Sequence, residues 1–174
     1  MRVWLALWLL LLPLAACAQS RGAGGGAAEG AYPAELQRPP PEFPRPQNYL
    51  PLEVSVTSPF AFYVDAKSIS VGTDGVMRYS LIARSSEGVL NISYEGIRCE
   101  GRQFRVYAYG RPDNTWAEAR MSQWQPIPAD ARNAQRAVLH GDYFCAKSNM
   151  IGTAEDAVRL LRAGPPAHGG GGGY

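Results

Sequence analysis

Between Ser58 and Gly110 the chain alternates apolar and polar residues with the period of a β-strand. Phe60, Phe62 and Val64 alternate with Ala61, Tyr63 and Asp65. Met77, Tyr79, Leu81 and Ala83 oppose Arg78, Ser80, Ile82 and Arg84. Leu90, Ile92 and Tyr94 oppose Asn91, Ser93 and Glu95. Phe104, Val106 and Ala108 oppose Arg105, Tyr107 and Tyr109. Between these runs stand Gly72-Thr73-Asp74-Gly75, Ser85-Ser86-Glu87-Gly88 and Glu100-Gly101, which are turn signals. Short turns between alternating strands predict antiparallel neighbours, hence a meander. Gly96 interrupts its run and suggests a bulge.

Beyond Gly110 the pattern weakens. Arg111 to Asn114 is a loop, and the segment between Trp116 and Trp124 suits a strand or a helical turn equally. The two tryptophans are expected to pack across the sheet; exposed platforms for sugar are the competing use. Asn133 suits the cap of a short helix over residues 134–140, ended by Gly141. From Thr153 to Ala163 the period becomes helical. Thr153 is a natural N-cap, Glu155 and Asp156 suit the first turn, and Ala154, Ala157, Val158 and Leu161 make one apolar stripe before Gly164 and Pro165. The expected fold class is α+β: an antiparallel meander sheet with one or two helices packed on one face.

The N-terminal region has a different character. Met1-Arg2 precedes an unbroken apolar run from Val3 to Leu12, too short to span a bilayer comfortably and built like a secretory leader. It ends in Leu14-Ala15-Ala16-Cys17, which resembles the bacterial lipobox. That resemblance implies lipidation and palmitate-type acylation of Cys17, cleavage before it, and a membrane anchor of several acyl chains, more durable than the marginal binding of one. Ala18, where Asp marks inner-membrane retention in many such precursors, implies the periplasmic face of the outer membrane. The competing expectation is an ordinary leader with an incidental cysteine nearby.

Residues 17–50 are rich first in glycine, then in proline, and read as a flexible coil followed by a stiffer spacer. Pro39-Pro40-Pro41 with Phe43-Pro44 would also suit a docking peptide. The expected division is thus residues 1–16 leader, 17–50 lipid-attached tether, 51–163 domain and 164–174 disordered tail. A domain of about 110 residues affords a modest core. The chain carries a formal charge of +2, and loss of Arg2 with the leader leaves about +1. There is no strong basic field and no nucleic-acid partner is expected.

The runs SPFAFYVD, SVGTDGVMRYSLIARS, NISYEGIRC and FRVYAYG, followed by Trp116, Trp124-Gln125-Pro126-Ile127 and Asp142-Tyr143-Phe144-Cys145, resemble the CNP-like family of bacterial exported proteins. The resemblance covers roughly residues 51–161. It implies one exported domain and brings no catalytic residues, because no biochemical activity is assigned to that family.

Chemistry is sparse. Cys99 and Cys145 remain once Cys17 is lipidated, and in an oxidising periplasm they are expected to form a disulfide. A metal pair or a redox pair is the weaker alternative, since no C-x-x-C and few other ligands accompany them. No metal site and no cofactor are expected. On the polar side of the meander the alternation gathers Arg78, Arg84, Asn91, Ser93, Glu95, Arg105, Tyr107 and Tyr109. Arg78, Arg105, Tyr107 and Tyr109 are the candidate ligand-binding residues, because arginine forks and tyrosine rings suit anions and polar polymers. An ordinary covered or solvated face is the competing expectation. The expected function is a non-catalytic binding or structural module of the envelope, with an envelope protein or peptidoglycan as partner. The alternative is a small cell-wall-directed hydrolase, using two carboxylates among Glu95, Glu100 and Glu118, or His140 with Asp142 and Ser148.

Overall fold

The computed structural model describes residues 32–54, 58–128, 134–146 and 149–164. Among these, eight strands form one antiparallel sheet: β1 (Tyr49–Leu52), β2 (Phe60–Asp65), β3 (Ser70–Val71), β4 (Val76–Ser85), β5 (Leu90–Arg98), β6 (Gln103–Gly110), β7 (Trp116–Glu118) and β8 (Gln125–Pro126). The main order is β1-β2-β4-β5-β6-β7, with β3 pairing β4 and β8 pairing β6. The expected α+β meander is therefore present. The hairpin of β3 and β4 turns where the Asp-Gly signal stands: Gly75 has φ 72° and its N–H donates to the Gly72 carbonyl at 3.1 Å.

One face of the sheet carries the main core. Met77, Tyr79, Leu81, Phe104 and Val106 are buried there with Leu139, Phe144, Ala157 and Leu161. These last come from the C-terminal part, where α1 (Ala134–Val138) runs into a wide helical turn (Leu139–Phe144), a second small sheet pairs β9 (Cys145–Ala146) with β10 (Asn149–Met150), and α2 (Ala154–Ala163) follows. The expected stop at Gly141 does not occur. The chain widens through it, because Leu139, Tyr143 and Phe144 all reach the core and the Cys145 N–H still bonds the His140 carbonyl. The expected cap at Asn133 lies outside the described residues. The α2 cap is as expected: the Asp156 N–H donates to Thr153 Oγ1 at 3.1 Å. Cys99 and Cys145 are bridged, with Cα atoms 5.4 Å apart, tying the end of β5 to the C-terminal cover.

The register corrects one expectation. Tyr79 pairs with Glu95, Leu81 with Ser93 and Ala83 with Asn91. Directly paired residues share a face, so Asn91, Ser93 and Glu95 lie with the core residues and not with Arg78. Ile92 and Tyr94 lie on the Arg78 side and are buried there. Alternation failed to orient β5 because both faces are covered, and an apolar run then no longer marks the core side. The pairing between β5 and β6 also slips between Tyr94 and Glu95, where Tyr107 is the extra residue. Tyr109, opposite Ser93, therefore falls on the face opposite Arg78 and is 51% exposed.

The chain from Tyr32 to Asn48 is the larger correction. Expected as tether, it belongs to the same compact unit as the sheet and is called the strap below. Its composition is that of a spacer, but Tyr32, Glu35, Leu36 and Phe43 each find partners on the domain.

Candidate functional site

The face opposite the main core is polar at its centre. Arg78 from β4, Arg98 from β5, and Arg105 and Tyr107 from β6 rise from neighbouring strands. Gly96 leaves room for them: a methyl group there would sit 2.5 Å from the Tyr107 hydroxyl and 2.9 Å from Val76. Trp124, next to β8, closes one side.

Into this centre the strap inserts the Glu35 carboxylate. Its Oε2 accepts from Arg105 Nη1 at 2.8 Å and from Trp124 Nε1 at 2.9 Å, and its Oε1 accepts from the Tyr107 hydroxyl at 2.6 Å. Arg78 and Arg98 approach the same carboxylate at 3.7 and 3.8 Å. The neighbouring backbone is also held. The Leu36 N–H donates to Asp74 Oδ2 at 2.8 Å, and Arg78 Nη2 donates to the Leu36 carbonyl at 2.9 Å. Arg78 is in turn forked onto Asp74, with contacts of 2.6 and 3.2 Å. Further along the strap, Trp116 Nε1 donates to the Pro41 carbonyl at 2.9 Å, and the Phe43 ring lies 5.2 Å from the Trp116 ring. Tyr32 and Trp124 cover the Arg98 guanidinium at 4.7 and 4.1 Å.

The electrostatics follow from this enclosure. Burial raises the Asp74 pKa, but hydrogen bonds from Arg78 and the Leu36 N–H outweigh it and hold the group below the usual carboxylate value. Burial and the hydrogen bond to Glu35 push the Tyr107 phenol far above its usual range. Three guanidiniums (Arg78, Arg98 and Arg105) thus face two carboxylates (Glu35 and Asp74). The surplus positive charge is best located on Arg98, which is 8% exposed and whose Nε has no hydrogen-bond partner.

Of the candidate residues, Arg78, Arg105 and Tyr107 therefore meet around one carboxylate, while Tyr109 stands on the other side of the sheet. Glu95 forms a separate cluster on the core face. Arg136 donates to its two oxygens at 2.7 and 2.8 Å, and Tyr79 and Ser93 also bond it. Glu100 and Glu118 are exposed. His140 is buried, its Nε2 lies 3.2 Å from the Cys99 carbonyl, and burial holds its pKa below the usual value. Ser148 and Cys17 lie outside the described residues. One further carboxyl stands out. Asp65 is buried, has an oxygen without a partner and has its pKa raised by burial. It lines a cleft of about 280 Å³ shared with Glu42, Asn48 and Lys67. No group of three or more metal-ligating side chains occurs among the described residues.

Glu35, Arg98 and Trp124 are the site residues that alternation missed. A signal existed: a pure spacer has no use for Tyr32, Leu36 and Phe43, and a face with several arginines and tyrosines calls for a carboxylate from elsewhere.

A family model described as the CNP1-like family matches residues 29–162, a span that includes the strap. The chain is similar to "Cryptic neisserial protein 1" of Neisseria gonorrhoeae (strain ATCC 700825 / FA 1090), with 36% identity over 95 residues, covering 47% of this chain and 46% of the relative. The match thus spans under half of that relative's length. No solved structure matches.

Proposed function

The chain belongs to the CNP1-like family, and on that premise we propose that it is an exported, lipid-attached envelope protein whose domain acts as a binding or structural module without catalytic chemistry. The observation that carries this reading is the engagement of Glu35, Asp74 and Glu95: each of these three carboxylates is already bonded within the domain to arginine, tyrosine or tryptophan. Groups so committed position structure well and transfer protons poorly, because a general acid or base must be free to reach substrate. Export is supported by the leader-like start and by the Cys99–Cys145 bridge, which suits an oxidising compartment. Anchoring at Cys17, on the periplasmic face of the outer membrane, rests on the lipobox-like Leu14-Ala15-Ala16-Cys17. The direct test of anchoring is fractionation of Cys17→Ser, which is expected to leave the membrane pellet; retention in the detergent phase refutes the anchor. The test of the module is recovery of envelope proteins and sacculus with the lipidated protein. A specific, saturable partner is expected in one of those two fractions, and its absence from both refutes the binding reading.

A second reading, a small cell-wall-directed hydrolase, has one observation in its favour. In the cleft beside β2, Asp65 has a raised pKa while Glu42 on the rim is exposed. Two carboxyl groups lining one cleft, one buried and one exposed, are the raw material that glycoside hydrolysis uses. Muropeptide release from purified sacculi, abolished by Asp65→Asn, would establish it; no release by the unaltered protein would dismiss it.

A further inference from the structure

The contacts of the strap are of three kinds, and together they describe recognition of an extended peptide. A carboxylate side chain is read by Arg105, Tyr107 and Trp124. The backbone next to it is read on both its N–H and its C=O, by Asp74 and Arg78. Five residues beyond, a proline carbonyl is read by Trp116, and a phenylalanine two residues later packs at a tilt against the same ring. Leu36, by contrast, leaves its side chain 39% exposed, so the groove fixes the backbone there without a pocket for that residue. Residues 32–44 of the strap form no strand ladder with the sheet; every hydrogen bond named above between them and the sheet involves a side chain.

We propose that this face is a binding site for an extended acidic peptide, occupied in cis by residues 32–44 of the chain's own strap, with the Glu35 carboxylate as the recognised group. The independent observation pointing to a ligand is Arg98. It is buried to more than nine-tenths, its Nε lacks a partner, and it lies 3.8 Å from Glu35, beyond hydrogen-bond distance. The site therefore holds one more cation than the strap and Asp74 neutralise. A segment that is more acidic than the strap satisfies it better than the strap does, and this is how a partner protein displaces a tethered competitor. The proposal builds on the reading of the domain as a binding module and adds its ligand class. Recovery of partners from the envelope tests the broader reading; the titration below tests this face alone.

The experiment uses the chain from residue 17 onward carrying Cys17→Ser for solubility and Glu35→Gln to weaken the resident strap. The probe is a fluorescein-labelled synthetic peptide with the sequence of residues 32–44, compared with the same peptide carrying Gln in place of its Glu. Anisotropy is expected to show saturable binding of the acidic peptide, at least tenfold tighter than the Gln peptide. Adding Trp116→Phe, which keeps an aromatic ring and removes the donor to the Pro41 carbonyl, is expected to weaken binding while the chain's far-UV dichroism and urea midpoint stay those of the parent. Equal affinity for the two peptides overturns the carboxylate recognition. No binding of either peptide at millimolar concentration overturns the site.

Discussion

Replacing Glu35 by Gln removes a charge and leaves the shape of the side chain nearly unchanged. Arg105 loses its 2.8 Å carboxylate partner, and the single amide oxygen can accept either on the Trp124 and Arg105 side or from the Tyr107 hydroxyl, not on both sides. Arg98 and Arg105 are left without an anion of their own, because Asp74 is committed to Arg78. Glu35 is 12% exposed and Arg105 26%, so the pair is mostly shielded from water. Removing one partner of a buried, hydrogen-bonded pair costs about 3–5 kcal/mol, and the partial exposure of Arg105 places this case near the lower end, at about 3 kcal/mol. A ceiling applies: once the penalty exceeds the docking free energy of the strap, the strap lifts and the arginines take up water, and the rest of the domain is spared. Tryptophan emission separates the two outcomes. In protein produced from residue 17 onward the tryptophans are Trp116 and Trp124, and both donate to the strap. Urea unfolding followed by this emission is expected to show an early transition in Glu35→Gln ahead of the main unfolding seen by far-UV dichroism. A double-mutant cycle with Arg105→Gln is expected to give a coupling of about 1–3 kcal/mol. A Glu35→Gln protein within about 0.5 kcal/mol of the original, with superimposable transitions by both probes, would refute the reasoning.

Three further outcomes follow from the same structure. The disulfide spans a sequence separation of 46, so Cys99→Ala with Cys145→Ala should destabilise by up to about 4 kcal/mol on the chain-entropy model; a chemical-denaturation midpoint unchanged on reduction of the original chain would contradict this. Gly96→Ala should cost about 1–3 kcal/mol by overpacking against Tyr107 and Val76, and a neutral effect would show that the strand relaxes freely there. On acidification, Asp74 and His140 act in the same direction. Both have lowered pKa values in the folded state, so each contributes stability that is present above its unfolded pKa and lost as pH falls. Stability should drop first below about pH 6.5 with His140, and again below about pH 4 with Asp74. Only the second step should carry the Trp116 and Trp124 emission change, because of these two groups Asp74 bonds the strap and His140 does not; a strap signal in the first step would contradict the assignment.

The meander, its turns and the α2 cap were legible in the sequence because each depends on local chemistry: strand-period alternation, the Asp-Gly turn, and a Thr followed by Glu and Asp. The pairing of Cys99 with Cys145 was legible from count, since these two remain once Cys17 is set aside. Two things were not. The face assignment of β5 depends on which neighbour Glu95 meets, and a strand covered on both sides carries apolar residues at both parities. The Tyr107 bulge then moves Tyr109 away from Arg105 without leaving a mark in the alternation. The strap was hidden by composition: Pro39 to Pro41 and the preceding glycines read as spacer, and the energy that docks it comes from one carboxylate, three backbone groups and two aromatic rings scattered over twelve residues. Nothing local distinguishes Glu35 from Glu29 or Glu42. Its role exists only because Arg78, Arg98, Arg105 and Trp124 converge from separate strands and loops.

The central claim is that residues 32–44 are docked on the polar face of the sheet and are not part of a free tether. Hydrogen exchange at the Leu36 amide tests this most directly, because that N–H is bound to Asp74 with no helix or strand to protect it otherwise. The account predicts exchange at least a hundredfold slower than for unstructured chain, with protection reduced in Glu35→Gln, on the order of the few kcal/mol assigned to that carboxylate. Exchange at the unstructured rate in the original protein would contradict it.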